Sequence, residues 1–171
     1  MKIVLVGYMG SGKSVIAKKL AEELHILSVE LDILIENKSK MSIEKIFSTK
    51  GELYFRKLEH ELFLEKMESN ESFVLSTGGG TPCYYNNHEL LKSDNCISIY
   101  LKASVSTLYD RLKNEKINRP LLVSLKNEEL KDYIAKHLFD RSYYYHQAKF
   151  VIVVDDKSVA EIVAEIKTLL A

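Results

Sequence analysis

Residues 2–14 read Lys2-Ile3-Val4-Leu5-Val6-Gly7-Tyr8-Met9-Gly10-Ser11-Gly12-Lys13-Ser14. The first five are a nearly unbroken apolar run, as a strand buried on both faces requires. Gly7–Ser14 then match G-x-x-x-x-G-K-[ST], and the chemistry needs each fixed position. Glycines let the backbone curl so that successive N–H groups face inward. The helix behind such a loop points its positive end at the anion. In this motif the lysine, Lys13, reaches the β- and γ-phosphates of a nucleotide, and the hydroxyl of Ser14 ligates Mg²⁺. Lys13–Leu24 places Ile16, Leu20 and Leu24 at helical spacing, with Ala17 and Ala21 beside them. Strand, glycine loop and helix in that order are the context that supports the motif.

The same alternation continues along the chain. Ile26–Leu31 reads as a second strand, and Ile33–Lys38 and Ser42–Ser48 as two short helices. Glu52–Met67 is a longer, highly charged helix, and Ser72–Ser76 a strand ending in three glycines. Cys96–Leu101 and Phe150–Val154 read as strands, and Ser104–Lys113 and Glu128–Gln147 as helices. Ser158–Leu170 closes the chain as a helix, and Ser158 with Glu161 has capping-box spacing. Asn114–Asn127 is polar and irregular, which predicts a mobile loop. Strands alternating with helices argue an α/β fold with a parallel sheet and right-handed crossovers.

Composition removes several classes of function. The 171 residues are 46% hydrophobic and 28% charged, as in a soluble globular domain. Twenty-four basic residues balance 24 acidic ones, which argues against a dedicated nucleic-acid binder or a polybasic membrane anchor. No apolar run nears the roughly 20 residues that span a bilayer. The N-terminus turns straight into the glycine loop, so it reads as a strand and not a signal peptide. Cys83 and Cys96 form neither a disulfide framework nor a metal spacing, and the five histidines form no HExxH pair. A single cytoplasmic domain over 1–171 is expected. It is expected to be a monomer, because no long apolar surface stripe remains unassigned.

Scarce residues point at further sites. Six of the seven glycines fall at Gly7, Gly10 and Gly12 and at Gly78, Gly79 and Gly80. Four of the 24 basic residues are arginine: Arg56, Arg111, Arg119 and Arg141. The planar guanidinium fork suits carboxylate and phosphate in a way lysine does not, so each is a candidate ligand contact. A guanine-nucleotide switch is disfavoured, since no Asp precedes a glycine by three residues and Asn37-Lys38-Ser39-Lys40 only begins like NKxD. A small kinase remains, with phosphates in the loop and an acceptor in a second pocket.

Five segments beyond the loop form a set. They are Glu30-Leu31-Asp32; Gly51-Glu52 with Phe55-Arg56 and Glu59; Ser76-Thr77-Gly78-Gly79-Gly80-Thr81; Arg119-Pro120-Leu121-Leu122; and Asp140-Arg141-Ser142-Tyr143-Tyr144. In order and spacing they resemble the shikimate kinase family over nearly the whole chain. That resemblance implies an α/β, three-layer P-loop kinase fold like that of nucleoside monophosphate kinases. It has a five-stranded parallel sheet flanked by helices, a substrate-binding region at about 32–60 and a mobile lid at about 114–127. It implies ATP- and Mg²⁺-dependent phosphorylation of the 3-hydroxyl of shikimate, in chorismate and aromatic amino-acid synthesis.

Residue by residue, the resemblance assigns Asp32 to the acceptor hydroxyls, as a candidate for taking their proton, and Arg56 and Arg141 to the shikimate carboxylate. Gly78, Gly79 and Gly80 line the acceptor pocket. Gly10, Ser11, Gly12, Lys13, Ser14 and Val15 hold the ATP phosphates. Arg119 reaches those phosphates from the lid, so Lys13, Asp32 and Arg119 form the catalytic set. Arg111 stacks on the adenine, with Lys157 in the loop beside it. Ser14 and Glu30 are the metal-side residues.

One position departs from the family, whose usual Asp-x-Asp after the second strand here begins with Glu30. In a strand, residues 30 and 32 project to the same side, which would carry both carboxylates to the mouth of the sheet. Simpler roles stand beside these. Asp32 is also placed to cap a helix beginning at Ile33. Arg56 stands four residues after Glu52, an ordinary ion-pair spacing. Val151–Asp155 mimics a Walker B strand but reads as the last strand, leading to the adenine loop. Tyr143–Tyr145 reads as packing. A gluconate kinase of the same build and a nucleotide-binding module without turnover are the competing functions.

Overall fold

A computed structural model describes residues 1–115 and 122–171. Its strands are β1 (Lys2–Val6), β2 (Leu27–Glu30), β3 (Phe73–Ser76), β4 (Ile97–Lys102) and β5 (Phe150–Val153). They form one parallel sheet in the order β2-β3-β1-β4-β5. The helices are α1 (Lys13–Leu24), α2 (Leu31–Ser39), α3 (Ile43–Thr49), α4 (Glu52–Glu68), α5 (Asn87–Leu90), α6 (Val105–Leu112), α7 (Asn127–Tyr145) and α8 (Val159–Leu170). Parallel neighbours need long crossovers, and these helices supply them.

Burial follows strand position. Ile3–Val6 of β1 and all of β3 are buried, which is why both read as continuous apolar runs. The edge strand β5 instead alternates, with Ile152 buried between exposed Val151 and Val153. Its edge position also separates Asp155 from the loop after β1. Asp155 instead accepts a hydrogen bond from the backbone N–H of Ser104 at 3.0 Å, at the start of α6. In α1, Ile16, Ala17, Leu20 and Ala21 are the buried face, as their spacing predicts. The Ser158–Glu161 capping box forms in both directions, at 3.2 and 2.7 Å. Such a cap stabilises a helix by about 1 kcal/mol.

Two expectations change. The helix after β2 begins at Leu31 and not Ile33, because Leu31 and Ile35 are fully buried and open an i,i+4 apolar stripe. Asp32 therefore lies in the first turn of α2 and does not cap it. A 3₁₀ turn (Thr81–Cys83) and α5 follow the three glycines, and both are too short to show a hydrophobic period.

The order of the strands creates the site. The chain leaves β1 toward β2 at one edge and leaves neighbouring β3 toward β4 on the other side. Loops diverging from adjacent parallel strands open a crevice at their carboxyl ends. Across that end Glu30 pairs in register with Ser76, and Ser76 with Leu5. Thr77 ties the two loops together, donating from both its N–H (3.2 Å) and its hydroxyl (2.9 Å) to the Leu5 carbonyl.

Candidate active site

A cavity of about 500 Å³ lies over the crevice. Its walls include Met9–Ile16, Glu30, Asp32, Ser76–Gly79, Arg111, Glu115 and Lys157. The phosphate loop forms one side. Gly10 and Gly12 take φ of 83° and 98°, a region open to glycine and strained for other residues. Gly12 has no side chain to cap α1, and the first turn of α1 contains no acidic residue. The uncapped N–H groups and the positive end of the helix are therefore kept for an anion. Lys13 is buried and folds back over the loop, donating to the carbonyls of Gly7 (2.7 Å) and Tyr8 (3.1 Å). Arg111 braces the same loop, its Nη1 donating to the Gly10 carbonyl at 2.9 Å. Val15 and Lys157 complete this wall, and Lys157 also pairs with Glu165 at 2.6 Å.

Oxygen ligands gather at the foot of α1. The Ser14 hydroxyl donates to Glu30 Oε2 at 3.3 Å and stands 3.5 Å from the hydroxyl of Ser76. Glu30 also pairs with Lys18 at 3.3 Å. Ser76 opens the triglycine segment in sequence, but its only signal there is a polar residue ending an apolar strand, and the resemblance gives it no metal-side role. Asp32 does reach the cavity with Glu30, but not by the strand alternation expected of it. The strand ends at Glu30, and the turn into α2 delivers Asp32. Asp32 is solvent-accessible at the cavity wall yet crowded by protein. Burial raises its carboxyl above the usual range, against the opposing pull of Lys13.

Beyond Asp32 the three glycines are crowded by side chains, and here glycine is needed for space. A Cβ on Gly78 would stand 3.1 Å from Glu59 Oε2 and 3.3 Å from Asp32 Oδ1. One on Gly79 would stand 3.2 Å from Arg141 Nη1, and one on Gly80 only 2.6 Å from Arg56 Nη2. Both expected arginines thus converge on the triglycine turn, although neither lines the phosphate cavity itself. Arg56 is 8% exposed and covers the Tyr84 ring at 4.1 Å.

Arg56 is held by Glu59, one helical turn on in α4, at 2.9 Å. Glu59 is fully buried and also accepts from the Thr81 hydroxyl at 2.8 Å. Burial raises its carboxyl, and Arg56 opposes that shift. The i,i+4 partner foreseen for Arg56, Glu52, is present but farther, at 3.5 Å. Tyr145, read from sequence as packing, is buried and donates to the Gly79 carbonyl at 2.6 Å. Its sequence signal was its position four residues after Arg141. The lid assignment, 114–127, falls partly on 116–121, and Arg119 lies outside the described residues.

A phosphate loop at the head of a central strand, facing a carboxylate and two guanidinium groups across a crevice, defines a phosphoryl-transfer enzyme for a small acidic acceptor. Similarity to known proteins narrows the class. The family model for shikimate kinase matches residues 9–171. Shikimate kinase of Flavobacterium johnsoniae is 52% identical over 170 residues, covering 99% of both chains. That of Flavobacterium psychrophilum is 53% identical, covering 99% of this chain and 98% of the relative. The crystal structure of shikimate kinase from Bacteroides thetaiotaomicron superposes with a TM-score of 0.91 at 32% identity, covering 99% of this chain and 98% of that one. Shikimate kinase from Acinetobacter baumannii, solved in complex with shikimate, gives 0.87 at 32% identity, covering 99% and 92%. The chain belongs to the shikimate kinase family.

Proposed function

We infer that this chain transfers the γ-phosphoryl group of ATP to the 3-hydroxyl of shikimate, giving shikimate 3-phosphate for chorismate and aromatic amino-acid synthesis. The observation that carries the site assignment is the convergence of Arg56 and Arg141 on the triglycine turn, next to Asp32 and across from the phosphate loop.

Phosphoryl transfer is mostly positioning and charge neutralisation around a loose transition state. Gly10–Val15 hold the phosphates through loop N–H groups. Lys13 exchanges the Gly7 and Tyr8 carbonyls for phosphate oxygens. Arg56 and Arg141 grip the shikimate carboxylate, and their rigid forks fix the direction of the ring. Glu59 keeps Arg56 aimed. Asp32 accepts a hydrogen bond from the acceptor hydroxyl, orients it in line with the γ-phosphorus and takes its proton as the bond forms. The crowding that raises the Asp32 carboxyl makes it a better base than an ordinary surface aspartate.

Among the described residues no cluster of three or more His, Cys, Asp or Glu marks a metal site. Mg²⁺, however, needs only one or two protein oxygens beside substrate phosphates and water. The Ser14, Glu30 and Ser76 oxygens fit that demand, and the longer Glu30 side chain already meets the Ser14 hydroxyl. When bound with ATP, Mg²⁺ neutralises phosphate charge. No described helix is long and apolar enough to cross a membrane. The proposal is completed by one domain acting as a cytoplasmic monomer, with Arg119 on a closing lid and Arg111 beside the adenine.

ADP release measured with shikimate, gluconate and AMP as acceptors tests it. Turnover is expected with shikimate alone. Equal turnover with gluconate or AMP, or none with any acceptor, would overturn the assignment.

A further inference from the structure

Tyr8 occupies a free position of the phosphate-loop motif, so phosphate chemistry does not dictate its identity. Its ring is 1% exposed, and a phenylalanine would fill the same space. A buried phenol nonetheless needs a hydrogen-bond partner. His137 of α7 supplies one, at 2.9 Å from hydroxyl to Nδ1 and 129 residues along the chain. The two rings meet edge-on at 5.4 Å between centroids, and Tyr133 packs on His137 at 5.1 Å.

His137, Arg141 and Tyr145 follow one another at intervals of four along α7 and so share one stripe of the helix. Every member is fastened to the site. His137 holds the Tyr8 hydroxyl, and the Arg141 guanidinium lies 6.0 Å from the Tyr8 ring centroid. Tyr145 holds the Gly79 carbonyl. The carboxylate arginine thus sits between a bolt to the phosphate loop and a bolt to the triglycine turn.

We propose that Tyr8 and His137 are a positioning pair that keeps Arg141 in register with the phosphate loop, so that the donor cradle itself aligns the acceptor's carboxylate. The groups around His137 support the pair. Burial first and then Arg141 lower its pKa to about 4, with Asp140 opposing and Arg56 adding a small push the same way. At neutral pH the ring is uncharged, and in its Nε2–H tautomer Nδ1 accepts from the phenol. This inference rests on the reading of Arg141 as a shikimate contact.

Steady-state kinetics on Tyr8→Phe, His137→Leu, His137→Gln and Arg141→Ala test it. Tyr8→Phe should raise KM for shikimate about threefold to tenfold, the range that one such hydrogen bond gives. KM for ATP should stay within about twofold, the error of such a comparison. A loop that merely needed Tyr8 for its own packing would lose ATP instead. His137→Leu should match Tyr8→Phe, and His137→Gln, which keeps an acceptor, should recover most of the loss. In the Arg141→Ala background Tyr8→Phe should add nothing, because the pair acts through Arg141. If Arg141→Ala weakens shikimate while Tyr8→Phe leaves both KM values unchanged or raises them together, this inference alone fails. If Arg141→Ala itself leaves KM for shikimate unchanged, the carboxylate contact fails and takes the inference with it.

Discussion

The phosphate loop and the triglycine turn follow adjacent strands of one sheet, yet they are built on opposite principles. In the phosphate loop the backbone is the ligand surface. Gly10 and Gly12 take positive φ so that N–H groups converge, and all the loop's parts lie within eight residues. In the triglycine turn φ is ordinary and the glycines supply only room. Side chains from α2, α4 and α7 fill that room with Asp32, Arg56, Glu59 and Arg141. A backbone site fits the ligand part shared by every nucleotide, its phosphates. A side-chain site suits the part that differs between acceptors.

The largest effect is expected at Asp32, where the two halves meet. Asp32→Asn should lower turnover about a thousandfold, within the range for a lost general base, while ATP still binds by calorimetry. Stability should move the other way. Because burial raises the Asp32 carboxyl, the folded protein prefers it protonated. The cost of its charge is therefore absent below the ordinary carboxylate pKa and grows as pH rises through the raised value. Melting scans should show the Asp32→Asn variant slightly more stable at pH 7, with the difference gone near pH 3, where Asp32 is mostly protonated in both states. Equal turnover would remove Asp32 from the chemistry, and a stability gain that persists in acid would remove the crowded charge as its cause.

Glu59→Gln comes next. It removes the nearer, buried anion of Arg56 and leaves only the more exposed Glu52 at 3.5 Å, so it should cost about 3 kcal/mol in denaturant unfolding, the low end for a broken buried pair. It should also weaken shikimate more than ATP. A loss below about 1 kcal/mol, the usual value of an exposed pair, would mean that Arg56 is held by other contacts.

Gly80→Ala and Gly12→Ala then separate space from conformation. A methyl on Gly80 meets the Arg56 guanidinium, so KM for shikimate should rise about tenfold with ATP little changed, a misplacement of one clamp arm. Gly12→Ala strains a left-handed φ and should raise KM for ATP instead. Identical kinetic profiles for the two variants would erase the distinction drawn between the loops.

The smallest expected effect is at Glu30. Glu30→Gln keeps the length and removes the charge, so the Mg²⁺ concentration for half-maximal rate should rise by no more than about tenfold, the low end for one outer carboxylate. An unchanged Mg²⁺ dependence would leave Glu30 with its Lys18 and Ser14 contacts alone.

The donor half of the site was legible from residues 2–24 because its physics is local. An apolar run, glycines at set spacing and a helical period each show in a window shorter than one helix. The same locality made the Ser158–Glu161 cap readable. The acceptor half was legible only as scattered arginines and glycines that resemble a family, because no window contains Asp32, Arg56, Gly80 and Arg141 together. Where a local rule was stretched, it misled. Strand alternation was applied to Glu30 and Asp32, but the buried pair Leu31 and Ile35 ends the strand between them. Glu59 and Ser76 stand inside segments that resemble the family but receive no role from that resemblance, and Tyr145 carries no motif of its own. Their roles appear only when α4, β3 and α7 are brought around one turn.

The sequence alone therefore determined the sheet class, the phosphate loop and the residue types available for an acidic acceptor, since these depend on neighbours along the chain. The tertiary structure decided which carboxylates share the cavity, which partners hold Arg56 and Arg111 and why three glycines must be bare. Those outcomes depend on distances between segments far apart in the chain, such as Gly79 and Arg141, and only packing sets such distances.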